Sequence, residues 1–346
     1  LVPSCLEAFA NGVQEFKTTK TFRGYPPQQG YRFLRDAIAE HEYENIISAD
    51  EIFIGAGAKN GAADLLDLFS PGSVVGIQNP SYPVYVGASS LAGMQLQLLP
   101  CLEENSFLPK LPKTPLDILY LCSPNNPTGQ ALQQEDLKAW VDYAKAHGTI
   151  ILYDGAYEGF ITSGAPRSIY DIPGAKEVAI ELRSFSKKGG FTNLRCSYLV
   201  IPKECSCEKV PLLSLWKKRN DIKFGGVSYP IQKAAAALYS PKGKKELLLQ
   251  MQEYHAQALY LRKGLLNLGF TIFGGTDAPY VWCKTPKGIS SWEFFDQLLE
   301  KAGVIAIPGQ GFGEAGEGFI RFSTFPSIPI LEQALTAIER EVLCAT

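Results

Sequence analysis

The chain contains no Cys-x-x-Cys pair, and its three histidines, His41, His147 and His255, lie far apart in sequence. Those absences exclude the usual zinc spacings, so no metal is expected. The eight cysteines are scattered, and 346 residues can bury a core without covalent staples. Reduced thiols are therefore expected, in the cytoplasm or, for a plant protein, a plastid. Long apolar runs are missing as well, so no membrane span is expected. A net charge of −2 supplies neither a basic field for nucleic acid nor a polybasic patch for anionic lipid. No signal-peptide pattern follows Leu1, and no initiator methionine is present, which points to a native N-terminus cut away or lying further upstream. A dinucleotide fingerprint is absent too. The stretch Gly55-Ala56-Gly57-Ala58-Lys59-Asn60 lacks the third glycine, and no acid is placed for a ribose.

What is there is globular. Apolar residues make up 46 % of the chain and charged residues 20 %. Short apolar runs at 51–55, 73–77, 116–122, 149–154, 178–186 and 197–202 read as strands. Helical patterns lie between them; one places Leu137, Trp140, Val141 and Ala144 on a single face and stops at Gly148. This alternation predicts an α/β domain with a mostly parallel sheet. After position 224 the texture changes to long helices, then short strands and helices, the last from Ile328. That pattern predicts a smaller α+β domain. The expected division is 22–223 for the large domain, and 1–21 with 224–346 for the small one and its connecting helices.

In open α/β sheets, ligands gather at the carboxyl ends of the strands. Following 51–55 is a turn of small residues that leaves backbone amides free. "NPSYPVY" carries Tyr82 between two prolines, and "SPNNPTG" is a stiff polar turn ending in Gly129. Asp154 ends another strand, with Tyr157 three residues on, and "SFSKKGGFTNLR" runs from Ser184 to Arg195. Each alone is an ordinary turn or cap. Together they meet the needs of pyridoxal 5′-phosphate: a lysine for its aldehyde, a carboxylate for its ring nitrogen, donors for its phenolate, an aromatic for its face and a cradle for its phosphate.

These motifs, with "YDGAY", resemble those of fold-type I aminotransferases along essentially the whole chain. "NPSYPVY", "CSPNNPTG", "RSIYDIPGA" and the Ser184–Arg195 stretch are most similar to the LL-diaminopimelate aminotransferase family. The resemblance implies the fold-type I transferase fold, with a seven-stranded sheet between helices. It also implies transfer of an amino group from LL-2,6-diaminopimelate or a related amino acid to 2-oxoglutarate, by a ping-pong Schiff-base route in lysine metabolism. By the same resemblance Lys187, rather than Lys188, forms the Schiff base and then acts as the base. Asp154 takes the ring nitrogen, Asn126 and Tyr157 the phenolate, and Tyr82 the ring face. Ala58, Lys59, Ser184, Ser186 and Arg195 take the phosphate, joined by Tyr25 from a neighbouring subunit of a homodimer. Arg321 grips the substrate α-carboxylate, and Asn126, Lys59 and Gln28 complete the substrate set. A neutral amine must attack the aldehyde, and Lys188 and Arg195 could favour neutrality in Lys187 by like-charge repulsion. Lys188 itself is expected to be solvated.

The chain also departs from that family. Gln28 stands where the family has an acid for the distal ammonium, and Gly225 where it has asparagine. "RCSY" replaces "RLGW", and the family's N-terminal segment, with further substrate contacts, is expected to be absent before Leu1. A buried charge left unpaired is costly, so these changes predict weaker selectivity for LL-diaminopimelate. The alternatives are transamination of lysine, aromatic or aspartate-like donors, or β C–S bond cleavage on the same scaffold. A non-catalytic regulator and a nucleotide-binding enzyme fit less well, because the Lys, Asp, Asn, Tyr and Arg set is whole and no fingerprint exists.

Overall fold

The computed structural model describes residues 1–343. Strands β1 (Ile52–Gly55), β2 (Val74–Asn79), β3 (Gln95–Pro100), β4 (Ile118–Cys122), β5 (Ile150–Asp154), β6 (Ala179–Ser184) and β7 (Ser197–Val200) form a seven-stranded sheet. Their order is β1-β7-β6-β5-β4-β2-β3. Only the pairings of β7, with β1 and β6, are antiparallel. Strands β4 and β5 are apolar almost throughout because both faces are covered. Ile118, Tyr120, Ile150 and Leu152 pack into one core, while Leu119, Leu121, Ile151 and Tyr153 pack into the other.

Helices α1 (Pro3–Gln14), α2 (Arg32–Tyr43), α3 (Ala58–Asp64), α4 (Val84–Leu91), α5 (Gln134–His147), α6 (Ala175–Val178) and α7 (Phe185–Lys188) occupy the first part of the chain. The apolar face of α5 buries Leu137, Trp140, Val141 and Ala144 as expected, and Gly148 ends it with φ +71°. The expected strand over 178–186 stops sooner. Ser184 Oγ accepts from the Ser186 amide at 3.1 Å, and that cap starts α7.

A short hairpin of β8 (Ser206–Cys207) and β9 (Val210–Pro211) leads into α8 (Leu212–Lys223), α9 (Tyr229–Ala237) and α10 (Pro241–Asn267). Strands β10 (Ile272–Gly274), β11 (Tyr280–Lys284), β12 (Ile307–Pro308) and β13 (Phe319–Ser323) then form an antiparallel sheet in the order β10-β11-β13-β12. With α11 (Ser291–Ala302) and α12 (Ile328–Ile338) it encloses its own core, which holds Leu261, Val281, Phe294, Ile320 and Leu335. Among the described residues no helix is long and apolar enough to cross a membrane. The seven cysteines among them are unpaired; Cys344 lies outside.

The two sheets approach each other at backbone level. Gly129, in the turn after β4, has φ +71°, and a Cβ there would stand 2.9 Å from Gly274 Cα at the end of β10. A side chain at this point is strained and also pushes on backbone. Gly129→Ala is expected to lower unfolding free energy by about 1–3 kcal/mol, seen as a lower urea midpoint. An unchanged midpoint would show that the contact yields freely.

Candidate active site

The carboxyl ends of β4, β5 and β6 lie side by side, with the start of α3 beside them. Around them is a cavity of about 160 Å³ lined by Ala58, Lys59, Tyr82, Asn126, Asp154, Ala156, Tyr157, Ser184, Ser186, Lys187, Thr192 and Arg195. Ten of these come from the motifs singled out above. Ala156 and Thr192 are additions, though both lie inside the quoted "YDGAY" and "GFT" stretches.

Asp154 is 6 % exposed and has no ion-pair partner within 4.0 Å among the described residues. Its Oδ2 accepts from the Tyr85 hydroxyl at 2.7 Å, and its Oδ1 from the Ala156 amide at 3.0 Å. Burial pushes this carboxyl above the usual range, and the two donors pull it back. Tyr85 was not among the expected site residues. Its signal lay in "YPVY", where a three-residue step at a helix start puts Tyr85 on the inward side of Tyr82. Tyr157 is buried, and its hydroxyl lies 3.0 Å from that of Tyr280.

At the opposite end, Arg195 Nη1 donates to the Thr192 carbonyl at 3.0 Å and reaches Ser186 Oγ at 3.4 Å. Gly57 makes room for it: a Cβ there would sit 2.1 Å from Arg195 Nη2. Arg321 arrives from β13. It lies over the rings of Tyr280 and Phe312, 4.1 and 4.8 Å from their centroids, and donates to Asn126 Oδ1 at 2.5 Å. Its buried Nε has no partner. Lys187 Nζ lies 5.5 Å from the centroid of Phe325. Tyr25 and Gln28 are not brought to this cavity. Tyr25 is 99 % exposed, and Gln28 lies exposed on the same segment.

Residues 1–338 match the model of the aminotransferase class I and II family. The chain belongs to this family. It is 44 % identical to an LL-diaminopimelate aminotransferase of Methanosphaera stadtmanae, over 98 % of this chain and 88 % of that one. The structure of the L,L-diaminopimelate aminotransferase from Chlamydomonas reinhardtii superposes with a TM-score of 0.93 at 36 % identity, covering 98 % and 87 % of the two chains. An aromatic aminotransferase from Pyrococcus horikoshii is more distant, with a TM-score of 0.87, 28 % identity and coverage of 98 % and 92 %. The chain is thus a transaminase of a family that works with pyridoxal 5′-phosphate, and it has the expected α/β architecture with a mostly parallel seven-stranded sheet.

One expectation fails in this aminotransferase. Lys188 is not solvated; it is 9 % exposed. Its Nζ lies 2.7 Å from Glu42 Oε1 and 2.5 Å from Glu158 Oε1. Arg183 Nη1 is 3.2 Å from the same Glu158 oxygen, and Arg183 also pairs with Glu181. Two carboxylates cancel the charge of Lys188, so it supplies no net repulsion toward Lys187. The sequence signal was faint: Glu181 and Arg183 sit within an otherwise apolar strand, where isolated charges are rarely left unpaired.

Burial opposes a charge on Glu42, but Lys188 and then Arg183 overcome that and hold its carboxyl at about 2, below the ordinary 4.5. A carboxyl held lower in the folded state contributes stability that is complete above about pH 4.5 and lost as pH falls toward 2. Urea unfolding is therefore expected to weaken more steeply between pH 5 and pH 3 in the unaltered protein than in Glu42→Gln. Parallel slopes would remove Glu42 from the acid response.

Proposed function

We propose that this aminotransferase carries amino groups from LL-2,6-diaminopimelate to 2-oxoglutarate, with pyridoxal phosphate held in the cavity at the ends of β4, β5 and β6. One observation carries the reading: Asp154, buried and without a cation of its own, shares that cavity with Lys187. A carboxylate so placed suits a protonated ring nitrogen. The unpartnered Arg321 Nε and the Arg195–Ser186 end suit a carboxylate and a phosphate. The residues therefore fit the cofactor. When bound, pyridoxal phosphate accepts the electron pair left as the α-proton departs.

The side chains then take the following parts. Asp154, which accepts from Tyr85 and the Ala156 amide, pairs with the ring nitrogen. Asn126 and Tyr157 donate to the phenolate oxygen, and Tyr82 covers the ring. Ala58, Lys59, Ser184, Ser186 and Arg195 hold the phosphate. Lys187 anchors the cofactor, and its Nζ then removes the proton from the substrate Cα. Arg321, stiffened by two aromatic faces, orients the α-carboxylate. Tyr25 stands clear of its own chain, which supports its reaching the site of a second subunit. We take 22–223 as the cofactor domain and 1–21 with 224–346 as the smaller one; the two separate sheets support a two-domain division, while Val2, Cys5, Ala234, Ala235 and Leu238 pack into the core of the large sheet. The unpaired cysteines support a cytosolic setting.

The substrate assignment rests on the named relatives at 44 % and 36 % identity. A broader specificity is favoured by Gln28, which offers no negative charge to a distal ammonium, and by Gly225, which has no side chain. A panel of amino donors with 2-oxoglutarate decides between them. Turnover of LL-diaminopimelate at least about tenfold above lysine, tyrosine and aspartate is expected under the first reading. Equal rates would support the second, and pyruvate with ammonia in the absence of an acceptor would indicate a lyase.

Lys187→Ala is expected to abolish turnover while still binding the cofactor noncovalently. Asp154→Asn should cost about 10²–10⁴-fold in kcat with the fold intact by circular dichroism. Near-normal activity in Asp154→Asn would take Asp154 out of the ring-nitrogen role.

A further inference from the structure

Lys188 and Glu158 each come directly after a residue of the site. Lys188 follows Lys187 at the end of α7, and Glu158 follows Tyr157 in the turn beyond β5. Neighbours in a helix are about 100° apart around its axis, so the two lysines diverge. Lys187 lines the cavity, whereas Lys188 reaches the carboxylates of Glu42 and Glu158. The stem of Lys188 lies along Gly159, where a Cβ would come within 3.1 Å of Lys188 Cβ. The cluster is fixed from behind: Arg183 bridges Glu158 to Glu181, and Glu181 Oε2 accepts from Ser168 Oγ at 2.6 Å and the Ile169 amide at 3.0 Å. Tyr43 and Tyr239 donate to Glu181 and Glu42 at 2.7 and 3.0 Å. Glu42, Glu158, Lys188 and Tyr239 form part of the wall of a larger cavity, about 500 Å³, beside α10.

A helix of four residues has little stability of its own, so its direction comes from its contacts. Ser184 caps the start of α7, and Phe185 is fully buried. Lys188 anchors the other end, and Lys187 lies between. Buried ion pairs add little net stability over apolar packing, but they fix direction and distance. We propose that the Lys188–Glu158 pair is a clasp that sets Lys187 and Tyr157 at their working separation, making Lys188 a positioning residue for transamination. The proposal rests on the reading of Lys187 as the cofactor-bearing lysine.

The test uses holoenzyme of Glu158→Gln, Lys188→Met and Lys188→Arg, with three readouts: kcat against KM, the visible circular dichroism of the bound cofactor, and thermal unfolding. Glu158→Gln and Lys188→Met are expected to lower kcat about 10- to 100-fold, with KM changed by less than about twofold. They should also lose visible dichroism at full cofactor content, because the cofactor sits differently. Lys188→Arg keeps the charge and should recover most of both signals. A folded Glu158→Gln enzyme with unaltered kcat and dichroism would overturn the clasp. If Lys188→Met fails to fold, Glu158→Gln decides alone, since it leaves Lys188 paired with Glu42. Failure of the functional reading would look different: the unaltered protein itself would show no cofactor band and no transamination.

Discussion

A carboxylate buried at the end of a central strand, with no cation beside it, is the constraint that orders this site. Asp154 is costly there, because a charge removed from water must be repaid locally. Tyr85 and the Ala156 amide supply part of the compensation. Tyr85 is in turn held by stacking on Tyr120, with ring centroids 4.7 Å apart, and the Tyr120 hydroxyl donates to the Ala62 carbonyl at 2.6 Å. One acidic side chain thus ties α4, β4 and α3 to the end of β5. The rest of the compensation is left to what enters the cavity, in keeping with the cationic ring proposed above.

The second sheet contributes two side chains that reach the site, Arg321 and Tyr280. Arg321 crosses from β13 to Asn126, 195 positions away in the chain, and is stiffened by Tyr280 and Phe312. Tyr280 serves both sides, since its hydroxyl also meets Tyr157. Backbone contact between Gly129 and Gly274 lets the two sheets come close enough for this reach. The position of the Arg321 guanidinium then depends on packing between two sheets as much as on the arginine itself.

The strands of the large sheet were legible because burial on both faces writes an unbroken apolar run, as in Ile118–Cys122. β3 escaped notice for the opposite reason. It lies at the sheet edge, mostly exposed, and its Gln95-Leu96-Gln97-Leu98 alternation is short and half polar. α8 was missed because its apolar and charged residues do not segregate cleanly, and α1 because its first turn carries no cap signal. Of the site residues, those in turns after strands could be listed from spacing and resemblance. Tyr280 could not, since it acts through another side chain rather than through a motif, and Tyr85 left only its three-residue step from Tyr82.

The adjacent lysines show where the division falls. Sequence alone determined which residue types stand after which strand, and hence that a lysine, an aspartate, an asparagine and an arginine would gather at one edge. That follows from the shared direction of parallel strands. Only the tertiary structure decided the fate of Lys188. Its partners Glu42 and Glu158 lie 146 and 30 positions earlier in the chain, and nothing local distinguishes a buried ion pair from a solvated loop. Pattern reports the direction of the backbone; the closure of three segments around one ammonium group depends on packing, which no single stretch encodes.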